Sequence, residues 1–184
     1  MLEMRIHGFG GQGAVTLAQL IAGAGLEAGK TAQSLPFFGT ERRGSAVKAC
    51  VRISDEDIKI RSQSVAADLL IIMNEKLLQT GIEAGTKPEA SIILNTTHPP
   101  VTDYPLWYLD AHQIAMEQNL VVSGVPFINI PMLGAVCQVI GIHKQVLEKV
   151  LRNKWTGKIG DKNVNAAMAG YDAVKKYQHE GAAK

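Results

Sequence analysis

Cysteine is scarce in this chain: Cys50 and Cys137 are its two cysteines among 184 residues. An iron–sulfur cluster usually takes about four thiolates, and a structural zinc needs Cys or His at short spacing, so this chain holds neither alone. Both thiols stand among apolar neighbours and read as buried and reduced. Aromatic residues make up 5% of the chain, too few for a platform on which single-stranded nucleic acid would stack. The net charge of +2, with no dense run of Lys and Arg, gives no footprint for a polyanion. No nucleic-acid partner is expected. No stretch of about 18 to 20 uncharged apolar residues reads as a membrane span. The nearest, Ala14 to Ala28, is too short and too rich in Gly and Ala. A secretory signal is also missing, because Glu3 and Arg5 interrupt the place where its apolar stretch would begin. A cytoplasmic address is the expectation.

What is present suits one domain over residues 1–184, with 46% hydrophobic and 20% charged residues. Arg5 to His7 reads as the end of a first strand that runs into a cluster of glycines. Ala14 to Glu27 has helical spacing, with Gly29 as its stop; Gly23 and Gly25 imply that close packing against a sheet holds it. Lys30 to Ser34 reads as a short strand, and Leu35 to Ala46 as a polar loop. Val47 to Ile53 alternates with a period of two, and Ile58 to Ile60 resumes the alternation after a turn, which predicts a hairpin. The continuous apolar runs Asp68–Met73 and Ser91–Asn95 fit parallel strands covered on both faces. A short helix over Glu75 to Thr80 separates them. Trp107 to Leu109 suggests a strand, Ala111 to Gln118 a helix, and Phe127 to Ile130 a further strand, with Pro131 in the first turn of a helix reaching Ile140. Lys144 to Arg152 is helical, and Asp161 is expected to cap a last helix that aligns Val164, Met168, Tyr171 and Val174. Strands and helices in alternation predict an α/β fold. It is expected to be a Rossmann-like three-layer domain with a mostly parallel sheet and an antiparallel hairpin.

The densest local feature is Gly8-Phe9-Gly10-Gly11-Gln12-Gly13, four glycines in six residues between a strand and a helix. Such a junction aims unpaired backbone N–H groups and the positive end of a helix dipole at one point, where phosphates bind. The other reading is that the glycines only permit tight strand–helix packing. An ordinary NAD site is disfavoured, since that fold places a carboxylate about 20 residues past the glycines. Thr31-Ala32-Gln33-Ser34 stands there instead.

A second cluster is Phe37-Phe38-Gly39-Thr40-Glu41-Arg42-Arg43-Gly44. Adjacent guanidinium groups in a glycine-flanked loop fork onto carboxylate or phosphate, and Glu41 is placed to orient one of them. The alternative is an interface loop without a ligand. Arg61, Ser62 and Gln63 form a lesser polar patch, read as structural. His7, His98, His112 and His143 lack metal spacing. Asn129 to Ala135 reads as a strand-to-helix crossing, where either a ligand or plain core packing fits.

Taken together, the glycine loop, Phe38 to Gly44 and Val51-Arg52-Ile53-Ser54-Asp55 resemble the gamma subunit of 2-oxoacid:ferredoxin oxidoreductases, of which pyruvate:ferredoxin oxidoreductase is the best-known member. Asn129 to Ala135 and Asn165 to Tyr171 resemble the C-terminal half of that family, so the resemblance spans nearly the whole chain. It implies an enzyme that decarboxylates a 2-oxoacid on thiamine diphosphate with Mg2+, passes electrons through iron–sulfur clusters to ferredoxin, and transfers the acyl group to coenzyme A. Those cofactors are then expected in alpha, beta and ferredoxin-like delta partner subunits, with none held by this chain alone. Gly160-Asp161, its one Gly-Asp of thiamine-site character, has too little chain after it for the usual metal-binding continuation. The site residues the resemblance implies are Gly8, Gly10, Gly11, Gln12, Gly13, Arg42 and Arg43, toward coenzyme A phosphates or a thiamine site at a subunit junction. The Glu41-Arg42-Arg43-Gly44-Ser45 form resembles pyruvate or branched-chain members more than 2-oxoglutarate ones. Two alternatives stand beside it: a stand-alone nucleotide-binding oxidoreductase, and a scaffold that only holds partners together.

Overall fold

Strand β1 (Leu2–Phe9) runs through the middle of the molecule with both faces covered. Met4 and Ile6 pack toward one helical layer, while Arg5 and His7 alternate to the other side and are buried as well. The computed structural model describes residues 1–36, 44–60, 62, 66–122 and 124–178.

Among the described residues the main sheet has seven strands. Its other members are β2 (Thr31–Pro36), β3 (Ala46–Ser54), β4 (Ala67–Ile72), β5 (Thr86–Asn95), β6 (Leu106–Leu109) and, past the two strands of a separate ribbon, β9 (Lys175–Lys176). Their order is β2-β3-β1-β4-β5-β6-β9. The central strands β1, β4, β5 and β6 are parallel, which suits the uninterrupted apolar runs of β4 and β5. β3 is antiparallel to both β1 and β2, and β9 is antiparallel to β6. Most strands therefore point the same way, and antiparallel pairing is present beside β1.

The partner strand of β3 differs from the expected one. β3 pairs with β2, from Thr31 opposite Ser54 to Pro36 opposite Ala49, whereas residues 57–60 form no strand. Three alternating residues are too few to fix a register, and the carbonyl of Ile60 instead accepts a hydrogen bond from Arg52 Nη1.

The larger core lies under α1 (Ala14–Glu27) and, later in the chain, α4 (Asn129–Val139), α5 (Lys144–Lys154) and α6 (Gly157–Ala173), with α3 (Ala111–Glu117) at its margin. Leu17, Ile21, Leu133, Val136 and Leu147 fill it. On the opposite face a 3-10 turn (Glu75–Leu77) and α2 (Leu78–Glu83) cover Leu70, Ile72, Ile92 and Leu94. This is the three-layer arrangement. Helix α1 lies flat on the sheet as its glycines imply: a β-carbon on Gly25 would stand 3.0 Å from Ile53 Cδ1. Among the described residues no helix is long and apolar enough to cross a membrane.

Two further expectations are corrected. Phe127 to Ile130 is not a strand; only Val125–Pro126 pairs, as β8 with β7 (Val121–Val122), and α4 begins at Asn129. The apolar run that follows is a helix buried nearly all round, which periodicity alone does not separate from a strand. Asp161 does not cap α6. That helix starts at Gly157 after Thr156, and Asp161 in its second turn accepts a hydrogen bond from Arg152 Nη1 at 3.0 Å. Helices α4 and α6 pack backbone against backbone. A β-carbon on Gly134 would overlap the Ala167 carbonyl, and one on Gly170 would overlap that of Pro131. This intimate crossing fixes where the first residues of α4 lie.

Candidate functional site

The chain leaves β1 at Phe9 and turns sharply. Gly10 N–H donates to the Ser45 carbonyl at 2.8 Å, and Gln12 N–H to that of Phe9 at 3.0 Å. Gln12 Oε1 in turn accepts from Phe9 N–H at 2.7 Å, so this side chain braces the loop from within. Gly11 and Gly13 have φ of +95° and +83°, the left-handed region that side chains avoid. Gly8 has a packing role: a β-carbon there would sit 3.1 Å from Met73 Sδ. Gly13 is the N-cap of α1, with no side-chain cap and no acidic residue in the first turn. The first N–H groups of a helix have no partner inside it, so the positive end of α1 is left for something else.

Asn129 stands against this end. A β-carbon on Gly13 would lie 2.8 Å from Asn129 Nδ2 and 2.9 Å from its Cγ. Asn129 is 3% exposed, and its Oδ1 is buried with no hydrogen-bond partner among the described residues. An unpaired buried amide oxygen costs about 1–3 kcal/mol unless another group donates to it.

Both residues open into a cleft of about 540 Å³. Thr16 of α1, Ile130 of α4 and the segment with Asn119, Leu120, Val121 and Phe127 line it. Lys154 and Trp155 at the end of α5, with Ile159, Lys162 and Asn163 of α6, complete the lining. Among the described residues no carboxylate lines it. The Nζ of Lys154 lies 5.4 Å from the Trp155 ring centre. Neighbouring cations are neutralised: Lys144 pairs with Asp172, Lys149 with Glu27, and Arg152 with Glu148 and Asp161. An uncapped helix N-terminus and two lysines, with no carboxylate beside them among the described lining residues, give the cleft the chemistry to attract an anion.

Of the residues singled out in the sequence, the structure brings Gly13 to the cleft, uses Gly10, Gly11 and Gln12 to shape the turn, and leaves Gly8 packed in the sheet. Arg42 and Arg43 lie outside the described residues, as do Arg61 and Gln63. Asn129 was legible only as part of a crossing. Lys154, Trp155, Lys162 and Asn163 were not among the residues the sequence pointed to, because their place beside Gly13 has no local signature. The cysteines match their reading: both are buried thiols, and desolvation pushes the Cys137 thiol up to about 12. Among the described residues no three His, Cys, Asp or Glu side chains gather as a metal site.

The family model for pyruvate ferredoxin/flavodoxin oxidoreductase matches residues 3–173. The chain belongs to this family. It is 39% identical to pyruvate synthase subunit PorC of Methanocaldococcus jannaschii, over 96% of this chain and 99% of that one. It is 37% identical to the common gamma subunit of the pyruvate/ketoisovalerate oxidoreductases of Thermococcus litoralis, over 97% and 100%. The crystal structure of pyruvate oxidoreductase subunit PORC from Thermotoga maritima superposes with a TM-score of 0.81 at 31% identity, covering 96% of this chain and 98% of that one. A 2-oxoglutarate:ferredoxin oxidoreductase from Magnetococcus marinus, with 2-oxoglutarate, coenzyme A and succinyl-CoA bound, shares the fold at a TM-score of 0.77. At 21% identity, this family fold takes up 30% of that longer chain. The gamma-subunit reading of the sequence is borne out, and a stand-alone nucleotide-binding oxidoreductase is not favoured.

Proposed function

We propose that this chain serves as the gamma subunit in the oxidative decarboxylation of pyruvate or a branched-chain 2-oxoacid, and that its glycine loop holds coenzyme A phosphates. The uncapped start of α1 supplies backbone N–H donors, and the lysines of the cleft supply charge. Arg42 and Arg43, with their forked donors, add to the anion binding. Gly8, Gly10, Gly11, Gln12 and Gly13 act together as its frame. The observation that carries this reading is the Oδ1 of Asn129, buried against the helix start and without a partner or a neighbouring cleft carboxylate among the described residues. A ligand N–H or hydroxyl donating to it removes the cost of that unpaired oxygen.

The remaining chemistry belongs to partners. Thiamine diphosphate with Mg2+ would supply the decarboxylation, and iron–sulfur clusters would carry electrons to ferredoxin. Alpha, beta and ferredoxin-like delta subunits are the places for these groups, since the two cysteines of this chain are buried and apart. The assembled complex works in the cytoplasm. This chain's contribution is to bind and orient the acyl acceptor at a subunit junction.

Replacing Arg42 and Arg43 by Ala in the assembled complex is expected to raise the KM for coenzyme A. Asn129→Ala should do so as well, while the KM for the 2-oxoacid stays put. Unchanged coenzyme A affinity and turnover in both variants, with subunits still co-purifying, would leave the chain a scaffold.

A further inference from the structure

The cleft has an apolar part besides the start of α1. Phe127 and Ile159 are large apolar side chains left 40% and 63% exposed, and with half-buried Trp155 they face one space. Exposed apolar surface gathered at one concave place is a mark of a binding site. Two cations border the same space. Lys154 and Lys162 enter no ion pair among the described residues, whereas Lys144, Lys149 and Arg152 of α5 each have a carboxylate. An apolar slot flanked by two free ammonium groups suits a flat heteroaromatic base that carries a phosphate monoester close by.

Resting on the coenzyme A reading above, we infer that Trp155, Phe127 and Ile159 seat the adenine, and that Lys154 and Lys162 recognise the ribose 3′-phosphate beside it. The two ends of the cleft then divide the ligand. The start of α1 with Gly13 and Asn129 takes the pyrophosphate, common to all nucleotides of this type. The α5–α6 wall takes the monoester, which separates coenzyme A from its dephospho form. Thus the glycine loop gives affinity, and the lysine pair gives specificity.

The test compares the KM for coenzyme A with that for dephospho-coenzyme A in the assembled complex. The wild type is expected to favour coenzyme A. In the Lys154→Ala/Lys162→Ala double variant the KM for coenzyme A should rise on the order of tenfold, as two partly screened charge contacts allow. The KM for dephospho-coenzyme A should move less than about twofold, since that ligand lacks the charge being read. The Lys154→Arg/Lys162→Arg pair should retain the discrimination, and Trp155→Leu should weaken both ligands alike. The inference is overturned if the wild type uses the two ligands equally, or if the Ala pair shifts both KM values together or neither. Lys154→Met/Lys162→Met, which keeps the aliphatic stems, replaces the Ala pair should that variant not assemble. Failure of the underlying reading looks different: Gly13→Ala and Asn129→Ala would then leave both KM values at the wild-type level.

Discussion

Asn129 occupies the space that a β-carbon on Gly13 would need, with its Nδ2 2.8 Å from that point. Gly13 is thus fixed twice over, by its φ of +83° and by the side chain beside it. Gly13→Ala is expected to cost about 1–2 kcal/mol from the left-handed backbone alone, and more from the collision. Adding Asn129→Ala should recover the collision part but not the backbone part. Thermal unfolding of the four chains of this cycle checks it; full recovery, or none, would count against the geometry.

Two glycines inside helices should respond to alanine in opposite directions. At Gly170 the methyl group has no room, because the Pro131 carbonyl of α4 fills its place. Gly170→Ala should therefore lose about 1–3 kcal/mol by forcing α4 and α6 apart. Gly23 has nothing nearer than Val150 Cγ1 at 3.7 Å, so Gly23→Ala should add about 0.5–1 kcal/mol through helix propensity. Denaturant midpoints shifting in the same direction for both would refute this account of the α4–α6 crossing.

His7 sets a pH dependence. Its ring is 1% exposed, both nitrogens lack partners among the described residues, and burial, then Lys48 and Arg5, lower its pKa from 6.5 to about 4. Between these values the unfolded chain holds a proton that the folded chain does not. Stability should then rise with pH across the window from about 4 to 6.5, and as pH falls through it up to about 3 kcal/mol should be lost. His7→Phe should remove roughly one proton from the slope of stability against pH in this window. An unchanged slope would mean that His7 titrates normally.

Arg52 is 2% exposed and ties three elements together. Its Nε binds Glu3 Oε1 at 2.8 Å, and its Nη1 binds Gln33 Oε1 at 3.3 Å and the Ile60 carbonyl at 3.2 Å. Arg52→Ala should cost about 3 kcal/mol, mostly by leaving Glu3 half-buried without its partner. Arg52→Met with Glu3→Gln should return much of that loss, because it removes both charges and keeps the volume. A double variant no more stable than Arg52→Ala, in equilibrium unfolding, would show that the charges themselves hold β1 to β3.

The local order of the chain was written in its residues. The strand–glycine–helix junction, the limits of α1, and the apolar strands β4 and β5 follow from backbone preference and periodicity, which act over a few residues. Ile58 to Ile60 and Phe127 to Ile130 misled because short apolar or alternating runs suit more than one state until neighbours choose. Only the tertiary structure decided that Arg52, on what alternation made an outer face, is buried with Glu3. Only it set Asn129, Trp155, Lys154 and Lys162 around the start of α1. Those residues lie far from Gly13 along the chain, and the tight crossing of α4 and α6 brings them there. Pattern determines which segments form. Packing determines which side chains share a cleft, because proximity between distant segments has no local signature.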